Sequence, residues 1–393
     1  MTQIDGNQIM RNCIYCRKTK SDKEFTLEHV IPQFLGGAQA PNELKTRDVC
    51  KTCNSNLGLF VDAAFEKDFL VFNELNNSAS MFFNSEKPFA LPLKCMGTCD
   101  LIPPNMKENE ICEAWLGSLG EQVYWIRIKD ERMYWYSGGN PRTVKKVKSS
   151  AYFIFSDRSH KNPLLTWLTF KEAFAGRPVK KIMCTKVEGA DPKTIGFSEP
   201  DEIDNLRIQY ILNECKKSQA RHSRLSLCMH YDVRFMAKLA IGISNILFGS
   251  DIGNSDYGKE LYKALWFQEG NVEPNVQGAG ALFNLNNDLK DYYGINYGVT
   301  VTVLPTPKEV IINLNLNRKM NWVVVCAKLQ DLTSEQVKKL GDGICIVLFK
   351  SLNKGFKLSP YELLTHNLGN IRHPDLDVIE QLANVNPNYF ENL

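Results

Sequence analysis

The chain has no long uninterrupted run of apolar residues and no basic segment followed by an apolar one near its start. The first absence excludes a spanning helix of about 20 apolar residues and the second a secretory signal, so the expectation is a cytoplasmic protein with no membrane partner. Net charge is also scarce, at +3 over 393 residues. A protein that coats nucleic acid would be far more basic, so any phosphate contact must come from local patches. Glycine-rich phosphate loops and internal repeats are both lacking. What remains is the composition of an ordinary globular protein, long enough for two or three domains.

Cysteine, in contrast, is plentiful, with twelve in the chain. Four stand in two Cys-x-x-Cys knuckles, Cys13/Cys16 and Cys50/Cys53. A short x-x turn lets both sulfurs of a knuckle face one ion, and two knuckles a few dozen residues apart match a four-thiolate zinc site. A redox motif would be single and would follow a strand in a thioredoxin-like unit. Four thiolates leave zinc no open position, so this zinc is structural and the chemistry must lie between the knuckles. The other cysteines are scattered singly in apolar contexts, as reduced thiols usually are.

Between the knuckles stand Glu28 and His29, and Asn54 follows Cys53 directly. A carboxylate holds a divalent cation, an imidazole takes a proton from water near neutral pH, and an amide carbonyl suits a hard cation. Together they compose a one-metal hydrolytic site. EFTLEHVI reads as a strand, PQFLGGAQAPNEL as a compact loop and Lys45 to Val49 as a returning strand. Leu57, Phe60, Val61, Ala64 and Phe65 recur at helical spacing, so a helix begins at or near Asn54 and packs that stripe on the strands.

These residues resemble the HNH (ββα-metal) endonuclease family, in particular the zinc-containing subgroup with EHVIP, a Gly-Gly loop and C-x-x-C-N-x-x-L-G, over residues 11 to 65. The resemblance implies that His29 is the general base, that Asn42 fixes the loop between the strands, and that Glu28 and Asn54 bind the catalytic ion. Glu28 stands where Asp is frequent, one methylene further out. Asn54 replaces the last His of the motif, which favours an oxygen-preferring ion, Mg²⁺ or Mn²⁺. The implied activity is hydrolysis of DNA phosphodiester bonds. A catalytically silent zinc module that binds nucleic acid is the alternative; it needs the four cysteines but not Glu28, His29 and Asn54.

The expected architecture is α+β: a nuclease domain over residues 1–85, followed by a larger mixed region, 86–393, that regulates or targets it. Residues 121–156 carry three aromatic alternating runs, QVYWIRI, RMYWYSG and SAYFIFSD, expected as strands of an antiparallel sheet. Residues 200–266 read as helical, and in VRFMAKLAIGISNILFG Arg234 and Lys238 are expected to snorkel from a buried helix. Residues 297–352 return to strands, with the sheet's direction left open. Arg17, Lys18, Lys20 and Lys23, with Lys45, Arg47 and Lys51, are candidate phosphate contacts, and Arg142, Lys145, Lys146 and Lys148 stand beside aromatics. Cys95, Cys99 and Cys112 lack a matched fourth ligand, and His366 and His373 read as surface residues. Such a body fits a sensor for a small-molecule or protein activator, as in antiviral defence effectors built on similar heads, and it leaves oligomer formation open.

Overall fold

The β-branched and aromatic run after Lys23 forms the strand Phe25–His29, which pairs antiparallel with Lys45–Cys50; Phe25 lies opposite Cys50 and His29 opposite Lys45, with a bulge between Thr26 and Glu28. Three short 3₁₀ turns, Gln33–Leu35, Gly37–Gln39 and Asn42–Leu44, fill the connection. Gly37 is required there, since a Cβ would sit 1.7 Å from the Ile31 carbonyl oxygen. The helix starts at Lys51, three residues earlier than expected, and continues through a π-helical turn, Gly58–Asp62, into Ala63–Glu66. Leu57, Val61, Ala64 and Phe65 are buried, as the stripe requires, while Phe60 is half-buried.

This computed structural model describes residues 9–83, 86, 88–130, 132–187, 189, 191–217, 222–228, 230–268, 270–281 and 287–385. It divides into two units: residues 1–66 with 229–380, and residues 67–228 with 381–393. The division falls at 66/67 and 228/229. The helical segment 69–81 does not continue the preceding helix but restarts behind its own cap, with Asp68 accepting from the Leu70 N–H at 3.0 Å. An Asp N-cap supplies an acceptor for one of the helix's orphan donors and fixes where a new helix begins.

In the first unit, the ββα element shares its core with the helix His230–Phe248 and a six-stranded sheet. The sheet order is Gly278–Ala279, Met320–Lys328, Glu309–Leu316, Val299–Pro305, Ile344–Phe349 and Lys354–Leu358, antiparallel throughout. The strands expected over 297–352 are present, with the helix Ser334–Leu340 between Met320–Lys328 and Ile344–Phe349. Phe65 of the ββα helix stacks on Phe235 at 4.0 Å between centroids and 10° between planes, and Phe34 lies 5.8 Å from the same ring. Gly242 allows the close approach, because a Cβ there would lie 2.6 Å from Val30 Cγ1.

The second unit is a six-stranded sheet in the order Ser223–Arg224, Lys94–Cys99, Glu110–Leu116, Gln122–Ile128, Ser149–Ile154 and Val179–Met183; only the last pair is parallel. Helix Pro163–Glu172 covers one face through Trp167 and Phe170, and helix Glu202–Lys217 the other through Ile208 and Ile211. Of the three aromatic runs, QVYWIRI and SAYFIFSD are strands, but RMYWYSG is a series of turns. Met133, Gly138 and Gly139 all take positive φ, which breaks the extended backbone. No helix among the described residues is long and apolar enough to cross a membrane.

Candidate active site and metal centre

The four knuckle sulfurs converge. Those of Cys13, Cys16, Cys50 and Cys53 all lie within 4.8 Å of one another, with Cys16 and Cys50 at 4.0 Å. Tetrahedral Zn–S bonds of about 2.3 Å place sulfurs roughly 3.8 Å apart, so the donor set fits zinc. The early helix start explains the geometry: Cys50 closes the strand and Cys53 lies in the first helical turn, which brings both to one side. The first knuckle sits in the hairpin Met10–Asn12/Thr19–Ser21. Hydrogen bonding from Cys53, then backbone N–H groups led by that of Cys50, push the Cys13 thiol down to about 4 against the effect of burial, while Cys53 is driven up by Cys13 and by burial. A dication at the centre resolves this competition by ionising all four.

Beside this centre, Asn54 Nδ2 donates to the Leu27 carbonyl oxygen at 3.0 Å, tying the helix to the strand two residues before His29. The amide orientation turns Oδ1 into the group left for a ligand. His29 is half-buried, and burial followed by the nearby Lys45 charge lowers its pKa from the ordinary imidazole value, which favours the neutral form. Asn42 Oδ1 accepts from Lys45 Nζ at 2.8 Å, across the end of the loop.

Residues 13–70 match the HNH endonuclease family. No curated protein and no solved structure matches the chain. The N-terminal segment is thus an HNH domain with a possible zinc centre, and the family supports a nuclease acting on nucleic acid.

The HNH domain meets a partner outside it that sequence reasoning misplaced. Lys238 does not snorkel: it is 2% exposed, and its Nζ lies 2.8 Å from Glu28 Oε1 and 2.6 Å from Asp62 Oδ2. Burial lowers the Lys238 pKa, but the two carboxylates outweigh it and hold the amine above its usual value. Burial raises both Glu28 and Asp62, with Lys238 opposing the rise. The π-helical turn Gly58–Asp62 carries Asp62 to this position. The sequence signal was a lysine in the largely apolar middle of the helix His230–Phe248. Glu28 is 5% exposed, so a catalytic cation and Lys238 would share one carboxylate.

Arg17 is also engaged. Its guanidinium donates to the Gly253 and Gly258 carbonyl oxygens at 2.7 and 2.9 Å and lies 4.4 Å from the Tyr262 ring centroid, which removes it from the phosphate candidates. Lys18, Lys23, Arg47 and Lys51 remain exposed. Cys95 packs on one face of the second sheet and Cys99 and Cys112 on the other, so they form no metal site. His366 is fully buried, not superficial: Nδ1 accepts from the His373 N–H at 3.1 Å and Nε2 meets Glu380 Oε1 at 3.2 Å. Arg372 pairs with Asp377 and Glu380, so this second His-acid cluster is already neutralised.

Proposed function

We propose that the HNH domain hydrolyses phosphodiester bonds of DNA by a one-metal mechanism. The observation that supports this reading is the Asn54–Leu27 tie, which engages the Asn54 amide nitrogen and leaves its oxygen for a ligand beside the strand that ends in half-buried His29. An imidazole nitrogen of His29 takes the proton from the attacking water. Glu28, held by Lys238 through Oε1, offers its other oxygen, and Asn54 offers Oδ1; these are the groups that would hold Mg²⁺ or Mn²⁺. A bound divalent ion supplies charge stabilisation at the phosphate and its leaving oxygen. Lys18, Lys23, Arg47 and Lys51 are the side chains for backbone phosphates, and binding through them weakens steeply with salt.

The residues outside the HNH domain control or target the cut, in the manner of a cytoplasmic antiviral defence effector answering an activator. A nuclease head that grips phosphates without reading bases would damage its host if unrestrained. The test is cleavage of plasmid DNA by the full chain with Mg²⁺ present or chelated, with His29→Ala as control; loss of general-base catalysis costs about 10²–10⁴ in rate. Wild-type cutting by His29→Ala overturns the base assignment.

One observation favours a second reading, a silent zinc module that binds nucleic acid: Glu28 is already neutralised by Lys238. DNA binding with no Mg²⁺-dependent cleavage under any of these conditions selects it.

A further inference from the structure

The second unit contains a cavity of about 420 Å³ lined by Phe72, Leu91, Leu93, Trp115, Phe174 and Arg177, among others. Small-molecule sites run to about 300–1,000 Å³, mostly apolar with few placed polar groups, and this cavity fits that description. Its aromatic wall is ordered by edge contacts: Phe72 meets Trp115 at 5.7 Å and 86°, and Phe174 meets Trp115 at 5.9 Å and 85°. Phe174 holds φ at 58°, a conformation that a bulky side chain rarely adopts. Such strain persists where surrounding structure fixes it, and it concentrates at ligand sites.

The charges around the cavity do not balance. Glu113 is the buried acid, and both of its oxygens are taken: Oε2 by Arg127 at 2.6 Å, Oε1 by the Trp115 indole N–H at 2.9 Å. Arg177 is left as the second guanidinium of the cluster, 5.1 Å from the Trp125 ring centroid, with no carboxylate within ion-pair distance among the described residues. Arg127 also lies over Trp125, at 5.6 Å from its centroid, and the two cations repel. Burial lowers the Arg177 pKa and the Arg127 charge adds to this, with Glu113 opposing in part. Glu172 is the acid at the rim and is exposed to water, where its charge is screened. A partly buried guanidinium fork next to aromatic faces recognises an oxyanion carried by a molecule with a flat ring.

We propose that this cavity binds an anion that carries a flat aromatic ring, with the ring against Trp115, Phe72 and Phe174 and the oxyanion on Arg177. The oxyanion is a phosphate or a carboxylate, and the site does not depend on the nuclease reading because its readout is binding. The experiment titrates the full chain with adenosine monophosphate and with 2-naphthoate, using adenosine and 2-naphthol as uncharged controls, followed by calorimetry and tryptophan fluorescence. At least one anion should bind saturably and at least ~10-fold tighter than its uncharged control. Binding by only the nucleotide assigns the phosphate source, and binding by only the naphthoate the carboxylate source. Arg177→Gln should weaken the bound anion by ~10- to 100-fold, Arg177→Lys by less, and Glu172→Gln should tighten it. Should Arg177→Gln fail to fold, Phe174→Ala is read instead, and it should weaken anion and uncharged control together. The proposal is overturned when neither anion binds saturably, or when folded Arg177→Gln binds like the wild type.

Discussion

Lys238 Nζ lies 2.8 Å from Glu28 Oε1, which places a lysine from the middle of the chain against the residue preceding the proposed base. The same amine meets Asp62 at 2.6 Å, so one cation holds two carboxylates from the HNH domain, one on its strand and one on its helix. Lys238 is thus a positioning group for Glu28, supplied by the helix His230–Phe248.

Lys238→Met should destabilise the chain by about 3–5 kcal/mol, because it strands two buried carboxylates. Lys238→Met combined with Asp62→Asn should recover part of that loss. Urea unfolding with an unchanged m-value measures both. A Lys238→Met variant as stable as wild type would show that the pair is not formed in solution.

Residues 1–85 alone should not form a cooperatively folded domain. Phe65 and Phe34 pack on Phe235, and the Trp266 indole N–H donates to the Tyr15 carbonyl oxygen at 2.9 Å, so the HNH core is completed by residues beyond 228. Residues 1–66 joined to 229–380 by a flexible linker should fold. Amide chemical-shift dispersion of the two pieces decides between them.

Gly242→Val should cost about 1–3 kcal/mol through overpacking, since even a Cβ meets Val30 at 2.6 Å and Tyr15 Oη at 3.1 Å. Thermal unfolding reads this directly. A neutral result would mean that the helix is not seated on the strand as described.

Zinc should bind at one ion per chain, and Cys50→Ser should abolish it together with the cooperative unfolding of the HNH domain. Binding energy at such a site is folding energy. Metal analysis after dialysis against a chelator gives the stoichiometry, and retention of zinc by a folded Cys50→Ser chain would count against the quartet.

The acidic limb of the cleavage profile should lie lower in pH than that of an unperturbed imidazole. Burial, then the Lys45 charge, lowers the His29 pKa, so the base resists protonation further into acid. Lys45→Gln removes one of the two causes and should move the limb upward. The pH dependence of kcat/KM for the two proteins measures the shift.

The four-cysteine cluster and the ββα order were legible in residues 13–65 because their causes are local. Knuckle spacing, strand alternation and a helical stripe are set by backbone geometry over a few residues. The strands over 297–352 were legible for the same reason, and RMYWYSG was misjudged because positive φ at Met133 leaves no trace in an alternating aromatic pattern. The structure alone decided what lies opposite Glu28. Lys238 is 210 positions away, and a lysine in an apolar helix reads the same whether it reaches water or a buried carboxylate. The division at 66/67 and 228/229 was equally out of reach, because it depends on which distant apolar faces meet. Hydrophobic burial is non-directional, so sequence tells that Phe65 and Phe235 must be covered, and only the folded chain tells that they cover each other.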